Sequence, residues 1–299
     1  MRFVERLILN RREESVRLRC PAKVNLFLKV TGKRGDGYHE VQNVMQTVTL
    51  YDELEVRRRG SGVRLTCSGR EVGKNREENL AFRAAEAFLR EGYGSGGVDV
   101  ELRKNIPVAA GLGGGSSDGA CCLLALNEVF GTGLSADTLR SLAAELGSDV
   151  PFFIEGGTAL CTGRGEIVRQ LRDAPRFGGV LAGPGSSLKT VEMYASLVEE
   201  DFGGPKVEGM LRAIEEGDLK GVCSALFNGF ERAAFERMPE LREWRRQLGQ
   251  LGSMGTVLCG SGPTLLAIFP GIDEAEAAAR RLRNHETKEA GFTAVVSAF

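Results

Sequence analysis

The stretch Lys104-Asn105-Ile106-Pro107-Val108-Ala109-Ala110-Gly111-Leu112-Gly113-Gly114-Gly115-Ser116-Ser117-Asp118-Gly119 decides how this chain is read. Val98, Val100 and Leu102 alternate just before it, as a strand does. Ala120, Leu123, Leu124 and Asn127 follow it at helical spacing. The order is therefore strand, glycine-rich loop, helix. Backbone N–H groups at a helix N-terminus, with the helix dipole behind them, favour an anion, and phosphate is the usual one. A plain flexible loop with a serine N-cap is the simpler alternative. Against it, loops seldom set four glycines directly ahead of an apolar helix.

Spacing excludes the common phosphate loops. Walker A needs G-x-x-x-x-G-K-[ST], and the pairs Gly32-Lys33 and Gly73-Lys74 have neither the leading glycine nor the following hydroxyl. The dinucleotide fingerprint G-x-G-x-x-G, started at Gly111, ends on Ser116. Protein-kinase signatures such as H-R-D are absent. The loop is of another type.

Working outward, residues 79–91 read as a helix, and residues 136–146 as a second one that stops at Gly147. Gly147-Ser148-Asp149 then leads into Val150-Pro151-Phe152-Phe153-Ile154, expected to be a buried strand. On the other side, residues 53–67 suggest a hairpin turning at Gly60-Ser61-Gly62. Residues 18–30 suggest a strand in which Leu26, Leu28 and Val30 alternate with Lys23, Asn25, Phe27 and Lys29, so Lys23 and Asn25 share one face. The second half mixes α and β patterns without a strict βαβ rhythm, and its Glu/Arg-rich run 231–249 reads as a solvated surface helix. A domain boundary is expected near 175.

Composition narrows the class. The 299 residues are 42% hydrophobic and 26% charged, and 39 Lys+Arg against 40 Asp+Glu leave a charge of −1. That balance excludes a generally basic nucleic-acid binder. No apolar run approaches the length of a membrane span. The seven cysteines are never spaced C-x-x-C, which speaks for reduced thiols, and two histidines make a His-rich metal site improbable. The cytoplasm is the expected compartment, since the apolar run Leu7-Ile8-Leu9 is too short for a signal peptide and Glu5, Glu13 and Glu14 argue against a transit peptide.

Several polar residues have two readings. Asp149 is an Asx-turn carboxylate or a general base for phosphoryl transfer. Lys23 is a solvated lysine or the cation that orients that base. Tyr38-His39, after Asp36-Gly37, could read a nucleobase by stacking and hydrogen bonding, although a lone turn histidine is the blander option. Ser261 in Cys259-Gly260-Ser261-Gly262-Pro263 sits in a turn or beside a ligand.

Together Pro21-Ala22-Lys23-Val24-Asn25-Leu26, the loop from Pro107 to Ser117, and Cys259-Gly260-Ser261-Gly262-Pro263-Thr264 resemble the galactokinase/homoserine/mevalonate/phosphomevalonate (GHMP) kinases. Asp36-Gly37-Tyr38-His39-Glu40, the triple-glycine loop and Gly147-Ser148-Asp149-Val150-Pro151-Phe152-Phe153 point to members acting on a cytidine-diphosphate-linked methylerythritol in the non-mevalonate isoprenoid pathway. The similarity runs colinearly through residues 18–269. It implies an α+β, two-domain fold with the active site in the inter-domain cleft. Residues 1–174 would be the ATP-binding domain carrying the loop, and 175–299 the C-terminal domain contributing to the substrate site.

The resemblance also implies roles. Asp149 would take the proton of the tertiary 2-hydroxyl, with Lys23 orienting it and stabilising developing charge. ATP phosphates would lie on Pro107, Gly111, Leu112, Gly113, Gly114, Gly115, Ser116 and Ser117, with Asn79 and Lys104 near the adenine. Tyr38 and Tyr194 would sandwich the cytosine, His39 would bond its edge, and Asn25 and Thr190 would face the substrate. Mg²⁺ is expected with ATP, and the only ligands suggested for it are Ser116 or Ser117. The partner is a small molecule, with no nucleic acid or membrane, and the chain a monomer or weak homodimer.

Departures from the family pattern are Gly119 for an alanine, Cys259 for methionine or serine, and Asn228-Gly229-Phe230-Glu231 for Asn-Asp-Leu-Glu. Residues 1–17 lie outside the match, as a poorly ordered extension or an alternative translation start. Two competitors remain. One is a relative acting on homoserine, mevalonate or a sugar, against which Tyr38-His39 argues. The other is a catalytically silent nucleotide-binding module, against which Lys23 and Asp149 argue.

Overall fold

Strands of a mixed sheet, a second four-stranded sheet and the helices that cover them make an α+β chain in the computed structural model, which describes residues 3–69, 76–284 and 291–298. The Gly73-Lys74 pair weighed above lies outside these residues. The chain divides into two compact units and enters each more than once. One comprises Met1–Ala22, Tyr51–Val108 and Gly113–Gly156, the other Lys23–Leu50, Ala109–Leu112 and Gly157–Phe299. A single cut at 174/175 is therefore not how the compact units divide. Lys23–Leu50 belongs with the C-terminal residues because two long strands, Ser15–Lys33 and His39–Arg59, each continue from one unit into the other.

In the first unit, a short helix α1 (Phe3–Leu7) leads into β1 (Ile8–Arg11), which pairs antiparallel with β2 (Ser15–Lys33) from Ile8↔Leu18. Val4 and Leu7 are buried, so these residues are part of the folded unit and not a loose extension. The later half of β3 (His39–Arg59) and β4 (Gly62–Gly69) do turn at Gly60-Ser61, yet they form no hairpin with each other. Strand β5 (Gly97–Lys104) lies between them, antiparallel to β3 and parallel to β4. Glycine permits the insertion at the turn, because a Cβ on Gly97 would sit 2.2 Å from the Gly62 carbonyl oxygen.

Three helices complete this unit. Helix α2 (Leu80–Arg90) is capped by Asn79, and α4 (Ala136–Leu146) by Ser135. Both pack with α3 (Gly114–Phe130), a helix buried on nearly every side from Ser117 to Leu126. Gly119 lets α3 lie close to α2, since a Cβ there would meet the Leu80 Cβ at 3.1 Å. The expected strand at Val150–Ile154 is instead a 3₁₀ turn, Pro151–Ile154, with all four residues buried. A short apolar run cannot be told as strand or helix by its pattern. Val150 is already helical at φ −64°, and Pro151 continues with a fixed φ and no donor.

In the second unit, β6 (Thr158–Thr162) pairs with β3 at Asn43↔Cys161, and β7 (Ile167–Gln170) pairs with β6. Strand β8 (Gly178–Pro184) is central to a separate antiparallel sheet, while β9 (Phe227–Asn228) pairs parallel to β2 at Phe27↔Phe227. That separate sheet has the order β10-β11-β8-β12, with β10 Gly255–Leu258, β11 Leu265–Phe269 and β12 Gly291–Ser297. The helices are α5 (Thr190–Ala195), α6 (Glu208–Glu216), α7 (Leu219–Ser224), α8 (Glu231–Arg237), α9 (Glu240–Gln250) and α10 (Ile272–Asn284). The run 231–249 is thus two helices, broken at Met238-Pro239 where the proline donor is missing. It is amphipathic, not wholly solvated: Leu241, Trp244 and Leu248 are buried with Phe235, Leu265 and Phe269.

Candidate active site

In the first unit, α3 begins without a side-chain cap. Its N-cap is Gly113, in a left-handed conformation at φ +70°, so the serine-capped loop does not occur. The first helical bond runs from the Ser117 N–H to the Gly113 carbonyl at 2.9 Å. The preceding N–H groups of the first turn therefore stand at the positive end of a 17-residue helix. Ser117 is fully buried, and its Oγ has no hydrogen-bond partner among the described residues. Gly115 is exposed, and a Cβ there would meet nothing within 4 Å.

Behind this helix start lies a charged core. Lys104 donates to Asp52 and Asp118, all three buried. Desolvation works to lower the Lys104 pKa, but the charges of Asp118 and Asp52 outweigh it and raise the group above its ordinary value. Burial pushes Asp118 well above the usual carboxylate range, with Lys104 opposing. The lysine expected near the adenine is thus held by two carboxylates of its own unit. Asn79 also has a duty inside the chain, since its Oδ1 accepts from the Ala81 N–H at 2.9 Å and the Phe82 N–H at 3.4 Å. Pro107 is half-buried after β5. Asp149 is half-buried in the turn between α4 and the 3₁₀ segment, where the Val150 N–H bonds the Gly147 carbonyl.

In the second unit, Lys23 and Asn25 are 3% and 0% exposed, so β2 presents no solvated face here. Lys23 Nζ donates to Asn25 Oδ1 at 2.9 Å, and the Gly260 N–H reaches the same oxygen at 2.7 Å. Asn25 Nδ2 donates to Asn43 Oδ1 at 2.7 Å. Asn228 Nδ2 bonds the carbonyls of Leu258 and Gly260 at 2.7 and 2.8 Å. These amides pin the Cys259–Thr264 turn, which has a cis Gly262-Pro263 bond and positive φ at Gly260 and Gly262. Leu112 accepts from the Lys23 N–H at 2.9 Å. Gly111 lies so near the turn that its Cβ would be 2.0 Å from the Cys259 carbonyl oxygen. Thr190 and Ser261 hydroxyls meet at 3.0 Å.

The aromatic residues also belong to this unit. His39 stacks on Tyr194 with centroids 4.8 Å apart, and Tyr194 and Phe230 form a T-shaped pair with centroids 4.9 Å apart. Burial, aided by Lys33, holds the His39 pKa below the ordinary imidazole value. That direction favours the neutral imidazole, which can donate at one nitrogen and accept at the other. Tyr38 is 50% exposed, with the Arg164 guanidinium 4.9 Å over its ring. Asp36 accepts from the Tyr38 N–H at 3.1 Å and pairs with Arg34.

Sequence reasoning missed Asn43, Asp52 and the use made of Asp118. Each meets a partner far along the chain, so only an unexplained polar residue in an apolar strand or helix hinted at them. Burial disfavours the thiolate at four of the cysteines. Burial raises Cys20 and Cys122, and pushes Cys223 up to about 11 and Cys259 up to about 12.

Residues 79–157 match the GHMP kinases N terminal domain, and residues 210–288 the GHMP kinases C terminal domain. A protein of Pelotomaculum thermopropionicum called 4-diphosphocytidyl-2-C-methyl-D-erythritol kinase is 42% identical over 266 residues, covering 88% of this chain and 92% of its own. One of the same name from Bacillus subtilis (strain 168) is 40% identical over 89% of this chain and 91% of its own. A crystal structure of a 4-(cytidine 5'-diphospho)-2C-methyl-D-erythritol kinase superposes with a TM-score of 0.80 at 36% identity, covering 95% of this chain and 100% of that one. Homoserine kinase from Cytophaga hutchinsonii reaches 0.77 at only 18% identity, over 97% of this chain and 96% of that one, and so shares the fold alone.

Proposed function

The chain belongs to the 4-diphosphocytidyl-2-C-methyl-D-erythritol kinases of the GHMP kinase family, and from that premise we propose that it transfers the terminal phosphoryl group of ATP to the tertiary 2-hydroxyl of 4-diphosphocytidyl-2-C-methyl-D-erythritol, in the non-mevalonate route to isoprenoids. The observation that carries the reading is the start of α3. A glycine loop enters a long helix whose first turn has no side-chain cap, which suits the phosphates of a nucleotide.

In this reading Gly111 to Ser117, with Pro107 beside them, receive the triphosphate, and Asn79 and Lys104 flank the base. Asp149 accepts the proton of the 2-hydroxyl, and Lys23 stabilises the charge that develops on the oxygens. Tyr38 and Tyr194 hold the cytosine by stacking, neutral His39 bonds its edge, and Asn25 and Thr190 bind the rest of the acceptor. The residues present fit Mg²⁺, since Ser117 Oγ is a buried oxygen without a partner among the described residues and hydroxyl oxygen is a suitable hard ligand, with Ser116 next to it. When bound, the ion would neutralise charge on the β- and γ-phosphate oxygens. The protein's own share is positioning and electrostatics, because phosphoryl transfer leaves little covalent work to side chains.

The test is ADP release with MgATP and three separate acceptors: the cytidylated methylerythritol, mevalonate and homoserine. Turnover with the first alone is expected. Turnover with another would remove the cytosine reading of Tyr38, His39 and Tyr194 while leaving the family untouched. Asp149→Asn should cut kcat about 10²- to 10⁴-fold with MgADP binding retained. Normal turnover by that variant would exclude Asp149 as the base.

A further inference from the structure

In the charged core beneath the loop, Lys104 has been read as flanking the base, while its partners Asp52 and Asp118 have no role so far. Lys104, at the end of β5, joins two carboxylates from distant parts of its unit. Asp52, in β3, uses its other oxygen to accept from the N–H groups of Asn105 at 2.5 Å and Ile106 at 2.8 Å. Those are the residues with which the chain leaves β5 for the loop, and the Asn105 side chain is tied to the Tyr51 carbonyl at 3.0 Å. Asp118 lies one turn into α3, where the helix receives the loop. One ammonium thus links the departure of the loop to its arrival.

Close packing connects this core to the glycines. A Cβ on Gly114 would fall 3.0 Å from Ile106 Cγ2 and 3.3 Å from Lys104 Nζ. The first residue of α3 therefore rests against the ammonium and the apolar residue beside it. Stability alone is a poor reason for such a cluster, since a buried ion group replaced by apolar residues of similar volume often leaves a protein as stable or more so. What apolar side chains cannot do is fix direction. A lysine bonded on two sides, with Asp52 also holding two successive backbone donors, sets the loop's two ends at one geometry.

We propose that Asp52 and Asp118 are positioning residues for the phosphate loop, acting through Lys104, which they pin against Gly114 so that the uncapped first turn of α3 is preset for a nucleotide's phosphates. The proposal rests on the reading of Gly111–Ser117 as the nucleotide site. Presetting matters because a displacement of about 1 Å in a binding element can cost up to about a hundredfold.

The test uses the full chain, with MgADP binding by calorimetry beside KM for ATP and for the acceptor. Asp118→Leu keeps the branched outline, with a larger volume, and removes the link. It should weaken MgADP at least about tenfold and raise KM for ATP, with KM for the acceptor within about twofold. Asp118→Asn keeps an oxygen for Lys104 and should restore MgADP binding to within about twofold of wild type. Asp52→Asn retains an acceptor for the loop N–H groups but can turn an amide donor toward the ammonium, and should behave like Asp118→Leu. If Asp118→Leu does not fold, Asp52→Asn decides by the same split. Wild-type affinity in Asp118→Leu or Asp52→Asn, or equal losses for ATP and acceptor, overturns the positioning role alone. A wild-type chain that fails to bind MgADP overturns the loop reading, and this proposal with it.

Discussion

At Gly111 the backbone runs at φ +79°, and a Cβ would lie 2.0 Å from the Cys259 carbonyl oxygen. At Gly115, four residues on, the backbone is helical and a Cβ would meet nothing within 4 Å. The first position is glycine because the chain's own packing admits nothing else. The second gains nothing from the fold, and glycine within a helix costs about 0.5–1 kcal/mol relative to alanine. A cost with no return inside the chain suggests a return outside it, in the close approach of a ligand to bare backbone. Two glycines of one motif thus answer to different constraints, and only the neighbourhood of each tells which.

That contrast can be broken by substitution. Gly111→Ala should cost the most, about 3–5 kcal/mol, from a left-handed backbone and a clash with fixed main chain together. Denaturant unfolding measures it, and an unchanged midpoint would mean the turn at Cys259 yields easily. Gly115→Ala should reverse the pattern. Stability should hold or rise by up to about 1 kcal/mol, while MgADP affinity falls about tenfold. An alanine there that bound MgADP like wild type would show that the open space is unused. Gly119→Ala, in the same helix, sharpens the comparison with the smallest effect. The gain in helix propensity is set against the Leu80 Cβ at 3.1 Å, so stability should move by less than about 1 kcal/mol either way, with nucleotide affinity unchanged.

The candidate site was legible in the sequence where its signal is local. The glycine loop, the helix after it and the turn before Pro151 declare themselves through backbone freedom, missing donors and periodicity within a few residues. Lys23 and Asn25 stand on the strand where alternation put them, but the solvated alternative for Lys23 does not hold. Asn43, from the next strand, and Gly260, from the far end of the chain, close over them. The hairpin at 53–67 failed for a related reason. The turn is real, yet the partner of both strands is β5, and nothing near Gly60 announces it. The resemblance implies that His39 bonds the edge of a cytosine, and the structure adds that its ring lies on Tyr194.

By itself the sequence determined that a strand feeds a glycine-rich loop and an apolar helix, that Asn79 and Gly147 bound helices, and to which family the pattern belongs. These follow from residue chemistry and from neighbours a few positions away, which any fold containing them must respect. Only the tertiary structure decided that Lys104 is clamped between Asp52 and Asp118, that the units exchange segments, and that Gly111 is held by packing while Gly115 is left open. Burial, ion pairing and steric closeness depend on which distant segments arrive together. A lysine is the same letter in water or between two buried carboxylates, and desolvation, set by the whole fold, makes the difference.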